Sequence, residues 1–525
     1  MVQRWLVYLK RGTGNQRRQF KAALYGNAAF LFFTDSSKID NRFMISKKDF
    51  RKINDYLWEI PKSFRQDMRV PARVYVSEAM LEDIFRDRSI GQLLNVATLP
   101  GIQKYTLAMP DMHEGYASPI GGVAAIRTSD GIISPGMQGY DVNCGMKLLK
   151  SEYSERDIKP HLEKLAIKIQ KEVPSGLGQG RQVKLSLEQI NKILEGGVPR
   201  LVEQGYGEKE DVENCEEKGK MAQADASCVS ERAKNRGRDQ VGTLGSGNHF
   251  IEVQKVAEIF NEKVAEIFGL FKDQIVIMIH TGSRGLGHQV CTDYLREFIP
   301  LMEKKYKIGV PDKEFACVPF NSSEGQRALA ASASAANYAW ANRQMIAHFI
   351  RKAWKQVLGE KVTSLVVLYD VAHNIIKKEK YLIDGKETEV AVHRKGATRA
   401  FPPGHPEIPE KYQTVGQPVL IPGSMGTASY ILVGTKEGEG AWFSTCHGAG
   451  RTMSRHEAMR RISGEEVVRR LEDKGIIVKC HSMRGIAEEA PLAYKNIDNV
   501  VEVVHNAGLS KKVAKLIPLA VIKGE

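Results

Sequence analysis

Two apolar runs in this 525-residue chain end on a histidine, and that pattern restricts the fold more than any other feature of the sequence. Ile275 to Ile279 leads directly into His280, and Leu365 to Leu368 leads through Tyr369, Asp370, Val371 and Ala372 into His373. Runs rich in Val and Ile read as buried strands, which deliver their last residues to the rim of a sheet. A single histidine so placed is ordinarily a hydrogen-bonded core or turn residue. The form recurs, however. Leu244-Gly245-Ser246-Gly247-Asn248 precedes His249, and Gly139-Tyr140-Asp141-Val142-Asn143-Cys144-Gly145 sets a carboxylate and a thiol three positions apart. In a flat strand those two side chains point to opposite faces, so Gly139 and Gly145 predict a turn that brings both to one centre.

A thiolate, a carboxylate and imidazoles together suit a borderline divalent ion, and ligand type alone favours Zn²⁺. Neither H-E-x-x-H nor C-x-x-C occurs, so such a site has to be gathered from distant strands. Small-residue loops with cations surround these residues. They are Ser444 to Arg451, with His447 followed by Gly448, Ala449, Gly450 and Arg451; His280 to His288, with Arg284; His393 to Arg399, with three cations in seven residues; and Pro422 to Thr427. Loops of this kind let backbone amides approach an anion. Taken singly each is a common turn, but their number predicts a nucleotide together with a polyphosphate or nucleic-acid substrate. There is no Walker A and no nucleophile-elbow motif, which leaves the chemistry to metal, histidine and backbone loops.

Lys and Arg number 76 against 62 Asp and Glu, a net of +14, which points to a polyanionic partner. Residues 1–43 hold eight basic and two acidic residues and so carry six of those charges. They read as an extension, either not native or a basic arm. Their longest apolar run, Ala28 to Phe33, is far short of the ~20 residues of a spanning helix, and no membrane association is expected. Seven cysteines without a dense framework predict a reducing, cytoplasmic setting. Residues 44–525 show no repeat and no long linker and read as one catalytic body. The expected fold is mixed α/β (α+β), central mixed sheets with surrounding helices. Ala72 to Val76 reads as a strand, and Ser77 to Arg88 as an amphipathic helix capped by Ser77. Residues 155–235 are mostly helical in pattern, and Gly325 to Glu360 is a long alanine-rich helix that reads as scaffold.

Asp141-Val142-Asn143-Cys144, Gly245 to His249, His280 to Gly285, Asp370 to Asn374, His393 to Gly396, Pro422 to Gly426 and His447 to Arg451 occur in the order found in the RtcB family of RNA ligases, which this chain resembles from about Trp58 to Lys523. The family's usual Gly-Phe-Asp-Ile-Asn-Cys-Gly is here Gly139 to Gly145 with Tyr140 and Val142, which keeps both ligands.

The resemblance implies a GTP-dependent ligase joining RNA 2′,3′-cyclic phosphate or 3′-phosphate ends to 5′-hydroxyl ends, as in tRNA splicing and RNA repair. It implies that His447 is guanylylated and passes GMP to the RNA 3′-phosphate. It replaces zinc by two Mn²⁺ ions, with ligands at Asp141, Cys144, His249, His280 and His373 and Cys144 bridging. Guanylate contacts fall on Asn248, His249, Phe250, Ile251, Glu252, His373, Asn374, Pro422, Gly423, Ser424, Met425, Ser429, His447, Gly448, Ala449, Gly450 and Lys523. For RNA the cations adjoining the site are Arg284, Lys395, Arg451 and Arg455, with Arg236 and Arg238 behind them. An archease-type activating protein is compatible with the resemblance. The rival readings are a metal-dependent phosphoesterase that only opens cyclic phosphates, and a basic RNA-binding scaffold that needs no metal.

Overall fold

The computed structural model describes residues 45–176 and 185–524, so the extension over residues 1–43 lies outside the described part. Two large sheets carry the fold. The first runs, in spatial order, Arg51–Asn54, Leu57–Ile60, Ala72–Tyr75, Thr106–His113, Ile120–Arg127, Lys386–Lys395 and Asn374–Ile383. The second runs Val366–Ala372, Gly145–Ser154, Gln274–Thr281, Phe250–Ile259, Ser510–Lys523, Ser429–Gly434 and Pro418–Ile421, with Ile477–Lys479 beside Ser510–Lys523. Neighbours are antiparallel, except that Ala72–Tyr75 pairs parallel with Thr106–His113 and Ile477–Lys479 pairs parallel with Ser510–Lys523. The fold is therefore mixed α+β, as the sequence predicts.

Both apolar runs are strands of the second sheet, Gln274–Thr281 inside it and Val366–Ala372 at its edge. Every residue of Gln274–Thr281 is buried, and an isoleucine moved there from water contributes about 1.5–3 kcal/mol. The long helix spans Ser323–Leu358, two residues earlier at each end than its alanine pattern suggests. Ser322 Oγ accepts from the Gly325 amide at the start, and Gly359, at φ +100°, ends it. Its alanines allow close packing, and Trp340, Trp354 and Tyr338 are wholly buried from it. The segment after Ser77 differs from expectation. It is a 3-10 helix over Glu78–Phe85, and Ser77 makes no side-chain cap. Three residues per turn place the buried Leu81 and Ile84 on one face, which suits the tighter winding. Described helices between 155 and 235 include Leu162–Glu172, Leu187–Glu203 and Glu231–Gly237.

All seven cysteines are free. Among the described residues no helix is long and apolar enough to cross a membrane.

Candidate active site

Strand register assembles the site. In the second sheet Met146 stands opposite His280, Gly145 opposite Ala372, and Phe250 opposite His280. Cys144, His280, His373 and His249 therefore emerge at one end of four adjacent strands. Lys523 joins them from Ser510–Lys523, where it pairs with Phe250. The predicted turn is present. The Cys144 amide donates to Asp141 O at 3.0 Å, and Gly139 and Asn143 take left-handed φ values of +92° and +51°. Gly145 serves a different purpose, since a Cβ there would lie 2.1 Å from Val371 O. Gly282 likewise admits the Asp141 carboxylate, which would lie 2.5 Å from a Cβ.

Ligand atoms of Asp141, Cys144 and His249 lie within 4.8 Å of one another. His249 Nε2 stands 2.9 Å from Asp141 Oδ2, and Cys144 Sγ lies 3.6 Å from His249 Nε2 and 3.3 Å from His280 Nε2. The sulfur thus sits between two imidazoles. His280 and His373 rings are 5.9 Å apart. The second nitrogens are held from outside: Nδ1 of His280 donates to Asn248 O at 3.1 Å, and Nδ1 of His373 meets Thr398 Oγ1 at 2.7 Å. His373 Nε2 is buried without a hydrogen-bond partner. Burial drives both histidines well below the usual imidazole pKa, so the rings are neutral, and His280, whose Nδ1 donates, keeps the lone pair of its inward Nε2. Burial and the neighbouring Asp141 also push the Cys144 thiol up, and a divalent cation among these donors is what would make the thiolate favourable. The carboxylate, thiol and imidazole of Asp141, Cys144 and His249, with His280 Nε2 beside the sulfur, fit a borderline divalent ion, while His373 stands next to His280 with its buried Nε2 unpartnered and outside that three-residue group.

The long helix is more than scaffold. Arg343, wholly buried, donates to Asn143 O and Thr281 O at 2.8 Å each, to Asn143 Oδ1 at 3.0 Å and to Asp370 Oδ1 at 2.8 Å. One guanidinium thus fixes the Asp141–Cys144 turn against the chain leaving His280.

His447 faces this cluster, its ring 5.7 Å from that of His373. Its Nδ1 donates to Asp111 Oδ2, and the amides of His447 and Gly448 donate to the same oxygen at 2.9 and 3.2 Å. Burial alone would raise the Asp111 pKa, but the facing His447 imidazole brings it below the usual value. With Nδ1 occupied, Nε2 holds the free lone pair. His113 packs 6.4 Å from His447, and burial lowers its pKa to about 4. Asp111 lies in none of the motifs that mark the site in the sequence. It follows the apolar Leu107 to Met109, the same form of run that marks His280, and extending that criterion to carboxylates finds it.

Several further residues expected to meet the nucleotide adjoin the site, whereas Phe250, Ile251 and Met425 are packed in apolar core clusters. Gly448 abuts the Pro422 to Thr427 loop, a Cβ there being 3.2 Å from Pro422 O. Ser429 Oγ accepts from the Gly423 amide at 3.2 Å and from Gln254 Nε2 at 3.0 Å. Asn374 bridges Asp141 O and the Gly396 amide. Lys523 Nζ donates to Gly247 O and His249 O, and burial lowers its pKa to about 8. Glu252 is buried, with one oxygen lacking a hydrogen-bond partner, and burial raises its pKa to about 8.

The cations divide. The stretch His393 to Arg399 is not an anion loop but parts of two strands, and its charges are interior. Arg394 pairs with Glu379, and Arg399 with Glu217 and Glu407. Lys395 is buried, with Nζ donating to the carbonyls of Tyr116, Ser118 and Gly136, which corrects its assignment to RNA phosphate: its donors are taken. Arg284 is largely enclosed and donates to Gly176 O at 2.8 Å. Arg451 and Arg455 share Glu489 at 2.9 and 2.8 Å, and Arg455 remains half-exposed beside Gly247. Arg236 is exposed and bonds Gln289, while Arg238 ends the helix Glu231–Gly237.

Residues 92–524 match the family model described as tRNA-splicing ligase RtcB. The chain is 50% identical over 480 residues to the tRNA-splicing ligase RtcB of Thermococcus kodakarensis, covering 90% of this chain and 98% of the relative. It is 51% identical over 481 residues to that of Methanococcus maripaludis, covering 91% and 100%. The RNA-splicing ligase RtcB of Mycobacterium bovis is 49% identical over 436 residues, covering 82% and 100%. With the family model spanning most of the chain and relatives matched along nearly their whole length, the chain belongs to the RtcB family of tRNA-splicing ligases.

Proposed function

We propose that this protein is a GTP- and Mn²⁺-dependent RNA ligase that seals 3′-phosphate or 2′,3′-cyclic phosphate ends to 5′-hydroxyl ends through a guanylylated His447, in tRNA splicing and RNA repair. The observation that carries this reading is the Asp111-held His447 facing Asp141, Cys144, His249, His280 and His373. Asp111 fixes the tautomer and stabilises the positive charge that builds on the ring as Nε2 attacks the α-phosphorus of GTP and pyrophosphate leaves. Mn²⁺ held by the five cluster residues would supply Lewis-acid neutralisation of charge on the reacting phosphates. Glu252, with its unpartnered buried oxygen, is suited to accept from the guanine edge, and the amides of Gly448 to Gly450 to line the phosphates. The RNA 3′-phosphate then takes GMP from His447, and the 5′-hydroxyl attacks that activated end with loss of GMP. A cyclic phosphate is opened by water beforehand.

A phosphoesterase that only opens cyclic phosphates would use the metal cluster but has no role for Asp111 and His447. The test is incubation with Mn²⁺ and α-labelled GTP, followed by denaturation. The expected product is a protein adduct stable to alkali and lost in acid. No adduct, with metal shown to be bound, overturns the ligase reading in favour of the phosphoesterase.

A further inference from the structure

Beside the metal-type cluster stands a row of three rings that the chemistry above does not use. Tyr140, the residue before Asp141, meets Tyr116 edge-on at 5.5 Å and stacks on His288 at 4.9 Å. The outer ring, Tyr116, is 57% exposed, and His288 is exposed as well.

The backbone that presents Tyr116 is tied down on every side. Gln92 bonds both the amide and the carbonyl of Gly115. Glu314 accepts from the Ala117 amide at 2.7 Å, and Ala117 is held at φ +57°, a conformation costly for alanine. The buried Lys395 donates to the carbonyls of Tyr116 and Ser118, and its alkyl stem lies against Gly139, the residue before Tyr140. One lysine thereby fixes both tyrosine-bearing segments. Fixing a backbone so heavily while leaving its aromatic ring in water has no packing purpose, because the ring buries little. Exposed cations stand near the row: Arg236 donates to Gln289 Oε1, the residue after His288, and Arg296 lies about two turns beyond His288 on the same helix, Arg284–Pro300. Rigid exposed rings beside cations are how proteins hold unpaired bases, since every base has a face to stack and every linkage a phosphate.

We propose that Tyr116, backed by Tyr140 and His288, is a stacking platform for one unpaired base of the RNA strand whose end enters the site. This rests on the RNA ligase reading above. The platform holds the strand by a base while Arg236 and Arg296 meet its phosphates, and it positions the terminal phosphate or hydroxyl without reading sequence.

The test uses the full chain with Mn²⁺ and short single-stranded RNAs ending either in a 3′-phosphate or in a 5′-hydroxyl. In each set one of the first four nucleotides from that end is replaced by an abasic one. Wild-type protein is expected to lose about ten-fold in affinity for a single abasic position, of the size stacking supplies. The Tyr116→Leu variant should bind the intact strand about ten-fold more weakly and lose nothing further at that position, while Tyr116→Phe should behave as wild type. Melting temperatures for the three proteins are measured alongside, and the coupling between ring and base is a readout that a merely structural tyrosine would not move. Equal binding by Tyr116→Leu and wild type, or an undiminished abasic penalty in Tyr116→Leu, overturns the platform. Failure of wild type to form the GTP adduct overturns the ligase reading instead, so the two failures are distinct.

Discussion

His280 and His373 on one wall of the site and His447 on the other are less than a side chain apart, yet they are held by opposite means. On the first wall the outer nitrogens rest on neutral groups, Asn248 O and Thr398 Oγ1, and burial keeps the rings unprotonated. On the second, Nδ1 rests on a buried carboxylate. A neutral partner orients a lone pair and adds no charge, which suits a ligand that must stay an imidazole. A carboxylate partner stabilises the ring as it becomes positive, which suits a nucleophile. In this site the charge behind the second nitrogen is what separates the two walls, neutral behind His280 and His373 and negative behind His447.

Exchanging members of the two walls sets the largest effects. Replacing His447 by Ala should abolish the GTP adduct and lower ligation by at least about a thousand-fold, with metal content by elemental analysis near wild type. Loss of metal in that variant would place His447 among the ligands and end the comparison. Next comes Asp111→Asn. The amides of His447 and Gly448 hold the amide oxygen where Oδ2 stands, so Nδ1 keeps its acceptor and the tautomer but loses the negative charge that stabilises the ring as it becomes positive; adduct formation should slow by about a hundred-fold without change in metal binding. Cys144→Ala acts on the opposite wall and should weaken Mn²⁺ binding by at least about a hundred-fold, measured by calorimetry, with the adduct falling in proportion. If the adduct survives at saturating metal, Cys144 is not needed between the ions.

A histidine belonging to neither wall gives the baseline. His393 is wholly buried on a central strand, and burial lowers its pKa to about 4. Its folded value lies below the ordinary 6.5, so the unfolded chain binds the extra proton. Stability from this group is full above pH 6.5 and is lost as pH falls toward 4. Between pH 7 and pH 5 the His393→Gln variant should lose about 2 kcal/mol less than wild type in denaturant titrations. An equal loss in both would show that folding leaves the proton affinity of His393 unchanged.

How much of this was legible follows from where each partner sits in the chain. His280 and His373 announce themselves because the strand that delivers each is written immediately before it. The turn from Asp141 to Cys144 is legible for the same reason, all its residues being local. Asp111 is 336 positions from His447, and Arg343 is 200 from Asn143, so neither pairing leaves a local trace. The basic stretch His393 to Arg399 misleads for the converse reason. Its carboxylate and carbonyl partners, Glu217, Glu379, Glu407, Tyr116 and Gly136, come from other segments, and without them three cations in seven residues look like an open anion site.

The smallest expected effect is the most direct examination of the first wall. Thr398 reaches His373 Nδ1 from the short strand Ala397–Arg399, which pairs with Ser444–Cys446 just before His447. One two-stranded ribbon therefore carries the outer partner of a metal-type histidine on one strand and leads into the nucleophile on the other. Thr398→Val keeps the shape and removes the hydroxyl. If Thr398 accepts from Nδ1, its loss frees the ring to take the other tautomer and to rotate, and Mn²⁺ affinity should fall by about ten-fold, with adduct formation restored at high metal. If the hydroxyl instead donates to Nδ1, Nε2 must carry the proton in the metal-free protein, and Val should leave affinity unchanged or raise it. The sign of the change thus reports which way the hydrogen bond runs, and only the first direction lets His373 be a ligand by the same logic that makes His447 a nucleophile.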